Sequence, residues 1–189
     1  MKKFFCAAAL VFSLISAPAL AADYVVDYKN SKIGFSGKHA GKAFTGAFGA
    51  WTAVIRFDPA DLAGSHIAAT FDPASAKTGD RVHDGTLTQA DWFDVKNHPQ
   101  ATFTSTTITA KEDGSGYTAA GDLTLRGITK PVSFDFTLSD LSAAPVTAKA
   151  AFTIDRLDFD IGKKSDAKAE WVDREITLTL DINALPRAE

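Results

Sequence analysis

The chain has 189 residues, 46% of them hydrophobic, a formal net charge of −3 and one cysteine. That balance, with no run of basic residues, argues against a nucleic-acid backbone or an anionic membrane surface as partner. A single domain of this size buries roughly 70% of the surface its unfolded chain exposes, enough for a core that needs no disulfide.

Residues 1–21 read as a secretory signal peptide. Lys2 and Lys3 form a basic start, Phe4 to Ile15 an apolar run, and Ala19-Leu20-Ala21 a small-residue cleavage site. The run falls short of the about 20 residues that span a bilayer. Export to the periplasm with cleavage after Ala21 is therefore expected, and not an integral membrane protein. Cleavage removes Cys6, Lys2 and Lys3, so the net charge moves from −3 to −5. Residues 22–189 then form one domain.

From there the pattern is one of strands. Alternation of apolar and polar residues is weak over 31–37 and clear over 43–58. In that second stretch Phe44, Gly46 and Phe48 share one parity, and Trp51, Ala53, Ile55 and Phe57 the other. A strand changes its apolar face only at a bulge or bend, and Gly49 is the expected place because glycine tolerates unusual backbone angles. A strand is predicted over 65–71. Residues 78–95 alternate poorly, and Asp80 or Thr88 could cap a short helix there. Further strands are predicted over 101–109, 116–125 and 146–154. The clearest runs are Val132, Phe134, Phe136 and Leu138, and Ile176, Leu178, Leu180 and Ile182, each alternating with polar residues. Turn signals such as Asp58-Pro59, Asp72-Pro73 and Ala144-Pro145 separate these runs. About eight mostly antiparallel strands make a closed barrel or a two-layer sandwich, and pattern alone leaves both open.

Catalytic chemistry finds little support. His39, His66, His83 and His98 have no partner at metal-binding spacing, so no metal site is expected. The exception kept in view is a cluster of His83, Asp84 and Asp91, should the fold bring them together. No serine sits in a Gly-x-Ser-x-Gly elbow, and "EDGSGY" at 112–117 reads as a hairpin loop.

Four stretches carry a family resemblance: "DYKNSKIGFSGKH", "TGDRVHDGTLTQADWFDVKNHPQATFTS", "GDLTLRGITKPVSFDF" and "IDRLDFDIG". In this order they resemble the YceI-like family of exported, lipocalin-like, polyisoprenoid-binding barrels. The third matches the family's LTxRGxTxPV pattern at Leu123, Thr124, Arg126, Gly127, Thr129, Pro131 and Val132. The chain departs from the family's Arg-Asp-x-His-Leu at 83–87. His83 and Thr86 replace the arginine and the histidine, and only Asp84 and Leu87 carry over.

The resemblance implies an all-β fold: an extended eight-stranded antiparallel lipocalin-like barrel with a short helix, holding an isoprenoid lipid, an isoprenoid quinone or another amphiphile. With strand parity it nominates an apolar lining of Phe35, Phe44, Phe48, Trp51, Ile55 and Phe57, continued by Phe103, Phe134, Phe136 and Phe152. Trp92 and Phe93 are expected to roof that interior, with Asp91 and Asp94 facing water or capping backbone groups. Arg81, Arg126, Lys130 and Arg156 lie in or beside the motifs near strand ends, where a cation can pair with a phosphate or a quinone carbonyl. Ala119, Gly121, Ala148 and Ala150 share parities with larger apolar neighbours, which leaves room or completes tight packing. A binding protein is expected, not an enzyme, with no cofactor beyond that lipid. A quinone-linked redox or stress accessory and a filled-core structural protein are the alternatives. A homodimer stays open.

Overall fold

The computed structural model describes residues 22–187, so the signal-peptide reading of residues 1–21 lies outside the described residues. The strands are β1 (Ala22–Val26), β2 (Lys32–His39), β3 (Lys42–Phe48), β4 (Trp51–Phe57), β5 (His66–Phe71) and β6 (Ala76–Lys77). After one short helix, α1 (Arg81–Leu87), come β7 (Ala101–Ala110), β8 (Tyr117–Leu125), β9 (Ile128–Leu138), β10 (Val146–Asp155) and β11 (Glu175–Pro186).

All neighbouring pairs are antiparallel, and the order closes on itself because β11 pairs with β10 on one edge and with β1 and β2 on the other. β1 and β2 lie end to end along β11. β4 and β3 follow them, and β5 and β6 follow those. Each of these pairs acts as one bent strand, so the wall is a closed eight-stranded barrel in which sequence neighbours are also spatial neighbours. Inner positions are apolar and outer ones polar: Phe134 and Phe136 are buried while Ser133, Asp135 and Thr137 are exposed.

The bend between β3 and β4 falls at Gly49-Ala50, where the apolar parity changes. Glycine's conformational freedom is not its cause, because Gly49 is absent from the positive-φ positions and a Cβ there would make only ordinary contact with Ser75. The bend is held from outside the strand. Gly49 N–H donates to Ser75 O at 3.2 Å, and Ala50 N–H donates to Ser75 Oγ at 3.0 Å.

Two long connections, 72–100 and 156–174, cross the same end of the barrel. Asp80 is the N-cap of α1, accepting from the N–H groups of Val82 and His83 at 2.8 and 3.0 Å, while Thr88 lies at its C-terminal end. Asp91 ties the two connections together. Its carboxylate accepts from Lys164 N–H, Ser165 N–H and Ser165 Oγ–H, and its carbonyl accepts from Gly162 N–H.

Candidate functional site: an apolar lumen

Alternation in eight strands turns one face of each inward, and the inward faces enclose a cavity of ≈ 220 Å³ in whose wall no polar atom is exposed. Phe35 of β2, Phe44 and Phe48 of β3, and Trp51, Ile55 and Phe57 of β4 all face it. So do Phe103 of β7, Phe134 and Phe136 of β9, and Phe152 of β10, with Trp92 and Phe93 of the first crossing connection over one end. Lys149 and Arg156 reach the wall through carbon alone. The aromatic rings of the lining interlock: Phe35 lies 5.4 Å from Phe48, Phe48 6.2 Å from Phe93, and Phe134 stacks on Phe152 at 4.5 Å.

Strand parity also pointed to lining residues outside that set. Ile176, Leu178, Leu180 and Ile182 of β11 line the lumen, and so does Leu87 of α1, which no strand parity could indicate. The small residues divide. Ala148 and Ala150 face the cavity and leave it room. Ala119 is fully buried, and at Gly121 a Cβ would overlap the Thr104 carbonyl and the Phe103 ring, so β8 is close-packed there.

The four cations have different surroundings. Arg81 is exposed at the start of α1. Arg126 donates to Asp160 O at 2.7 Å and Ala90 O at 2.5 Å, joining both crossing connections. Lys130 is half-buried and acts with Arg126 on Asp160, whose pKa falls below the ordinary carboxylate value chiefly through its bond from Lys163. Arg156 is 2% exposed. Its guanidinium donates to the carbonyls of Asp173, Ile161, Asp166 and Val172 and meets Asp166 Oδ2 at 2.7 Å. It is buried and committed to the fold. Burial works to raise the pKa of Asp166, but N–H donors from Val172, Trp171 and Glu170 together with Arg156 outweigh it and hold the carboxyl below its ordinary value.

The polar residues of the motif at 83–98 serve the fold. Asp84 accepts from Thr78 N–H and Oγ–H, Asp91 binds the other connection, and His83 packs edge-on against His39 at 4.9 Å. They do not converge, and among the described residues no group of three or more His, Cys, Asp or Glu side chains is placed to hold a metal. Thr86, at the family's histidine position, donates to Val82 O within its own helix. No helix among the described residues is long and apolar enough to cross a membrane. The wall is apolar within and polar without, the inverse of a membrane-spanning barrel.

Known proteins share this arrangement. Residues 24–184 match the YceI-like domain. The UPF0312 protein ECA1782 of Pectobacterium atrosepticum is 37% identical over 139 residues, covering 71% of each chain. The crystal structure of BcnA from Burkholderia cenocepacia superposes with a TM-score of 0.79 at 31% identity, over 84% of this chain and 99% of that one. A Saccharophagus degradans domain, described as polyisoprenoid binding and implicated in plant cell wall breakdown, superposes with a TM-score of 0.65 over 88% of this chain and 99% of its own. Its identity of 15% makes that a likeness of fold. With the barrel, the motifs and the sequence match all spanning the same residues, the chain belongs to the YceI-like family.

Proposed function

We propose that the protein is a periplasmic carrier, not an enzyme, that holds one isoprenoid lipid, isoprenoid quinone or similar amphiphile in its lumen. The observation that carries this reading is the unbroken apolar wall around an internal cavity. A ligand there gains from burial of its chain and finds no buried group to orient a polar substrate. The description of the Saccharophagus domain agrees with this chemistry. In this reading the polar head lies at the end crossed by the two connections. Lys130 is the favoured partner, since Arg126 and Arg156 already donate to protein oxygens, and Arg81 offers a further cation on α1.

Pairing of two copies is part of the proposal. Val25 is opposite Leu185, and the β1–β4 register continues to Val54, which sets three exposed apolar side chains side by side on the outer wall. Sedimentation of the parent and of Val54→Glu tests this, and a parent that sediments as a monomer removes it. For the carrier reading, protein purified from the periplasm is extracted with organic solvent and the extract weighed by mass spectrometry. A stoichiometric prenyl lipid is expected. A protein that yields none and takes up no prenyl alcohol in solution is not a carrier.

A further inference from the structure

The wall of the barrel is not closed in the same way all round. β9 is paired with β8 from Ile128 to Phe136, and β10 with β11 along its whole length. Between them β9 and β10 share only three paired positions, Leu138 with Ala148, Thr137 with Lys149 and Phe136 with Ala150. Below that step the two strands run on, to Ile128 and Asp155, without pairing. Continuing the register would set Phe134 opposite Phe152. These are the two rings that stack, at 4.5 Å and 12°. The sequence accommodates the open edge: Pro131, which has no N–H to offer, lies in the part of β9 that is not paired with β10. Beneath the rings the turn that follows β10 packs against β9, and its Leu157 and Phe159 are 8% and 2% exposed.

We infer that the apolar chain of the ligand enters and leaves sideways, through the β9–β10 seam, and that Phe134 and Phe152 are the leaves of the gate. This rests on the carrier reading above. Parting the seam separates rings and aliphatic side chains and breaks no ladder hydrogen bond. The other routes are tied. The end crossed by the two connections is held by the carboxylate of Asp91, by Arg126 and by the buried Arg156. At the opposite end Phe57, Tyr117 and Phe136 touch one another in a ring of three. Phe134 and Phe152 also line the lumen, so a chain passing between them moves directly from the seam into the cavity. The unpaired strand edges leave backbone groups free to be wetted when the leaves part.

The test is a lock. Asp135 and Ala151 are the next in-register pair after the last paired step, and both are exposed. Protein produced from Ala22 onward lacks Cys6, so Asp135→Cys/Ala151→Cys introduces the only thiols. Uptake and release of Nile red are followed by stopped flow in oxidised and reduced protein. The oxidised form should exchange the dye more slowly, on the order of tenfold, and reach the same fluorescence at equilibrium. Equal rates in both states overturn the gate and leave the lumen reading intact. No Nile red fluorescence in either state overturns both. Phe152→Ala removes one leaf and should speed uptake and release together. A Phe152→Ala protein with the parent's circular dichroism and the parent's exchange rates also overturns the gate.

Discussion

Asp166 and Arg156 show how much of this fold hangs on single polar residues. Both are buried, and the pair meets at 2.7 Å. Removing one member of such a pair leaves the other as an uncompensated buried charge, at a cost of about 3–5 kcal/mol. Asp166→Asn should therefore lower stability to urea at pH 7 by roughly 3 kcal/mol. The pH dependence has a definite sign. A carboxyl whose folded pKa is depressed contributes stability above its unfolded value, about 3.9, and loses it as pH falls through the folded value. The gap between the parent and Asp166→Asn should thus narrow below about pH 4. A gap that stays constant from pH 7 to pH 3 removes this account. Arg126 is a second such residue. It sits at φ +52 beside Gly127 at +74, in a two-residue turn that favours asparagine at its first position. Its guanidinium bonds to Ala90 O and Asp160 O hold it there. Arg126→Asn suits the turn better but frees the connections, and hydrogen exchange at the Gly162 and Ser165 amides should rise.

At the scale of elements, strand ends and irregularities depend on hydroxyls. The register between β7 and β8 shifts between Ser105 and Thr107, and the β5–β7 ladder ends at Ala68 and Thr104. Ser105 Oγ, buried at that point, accepts from Ile67 N–H at 2.9 Å and so extends the pairing by one bond. Ser105→Ala leaves that donor without its partner, for which the cost is about 1–3 kcal/mol. Thermal unfolding should show the loss, and Ser105→Thr, which keeps the hydroxyl, should recover part of it. Ser75 does comparable work at the β3–β4 bend, where backbone and side-chain oxygens take the two N–H groups that the change of face leaves free.

At the scale of the whole molecule the question is what kind of energy holds a ligand. Each methylene buried is worth about 0.8 kcal/mol, so one five-carbon unit supplies roughly 3–4 kcal/mol before losses. Several units would pass the practical limit of about −18 to −21 kcal/mol, so ordering of the tail must take much of the sum back. Affinity for prenyl alcohols should climb steeply with tail length and then level off when the lumen is full. It should change little with salt, because screening acts on exposed charge. Trp51 and Trp92 face the lumen and report binding by fluorescence, while Trp171, 60% exposed, serves as the internal reference. Affinity that ignores tail length but collapses with salt would sink the lumen reading. Phe134→Asp sets a charge against the stacked ring of Phe152 and should abolish lipid retention.

Much of this was legible in the residues themselves. Period-two alternation in runs such as 132–138 and 175–182 determined the strands and their inner faces, because successive side chains in a strand must point opposite ways. Asp80 and Thr88 were both candidate caps for a short helix, and Asp80 is the one that starts α1, because its carboxylate satisfies N–H groups a few residues on. These are local properties, set by neighbours along the chain. Closure of the barrel, by contrast, depends on β11 reaching back to β1 and β2, and no local pattern measures that distance. The same limit applies to Arg156. Its place near a strand end nominated it as a cation for a headgroup, and only the path of the 156–174 connection turns it and Asp166 toward each other and buries them. The open β9–β10 seam is tertiary as well. Phe134 and Phe152 look like any inward residues until the ladder between their strands is seen to stop at the step before them.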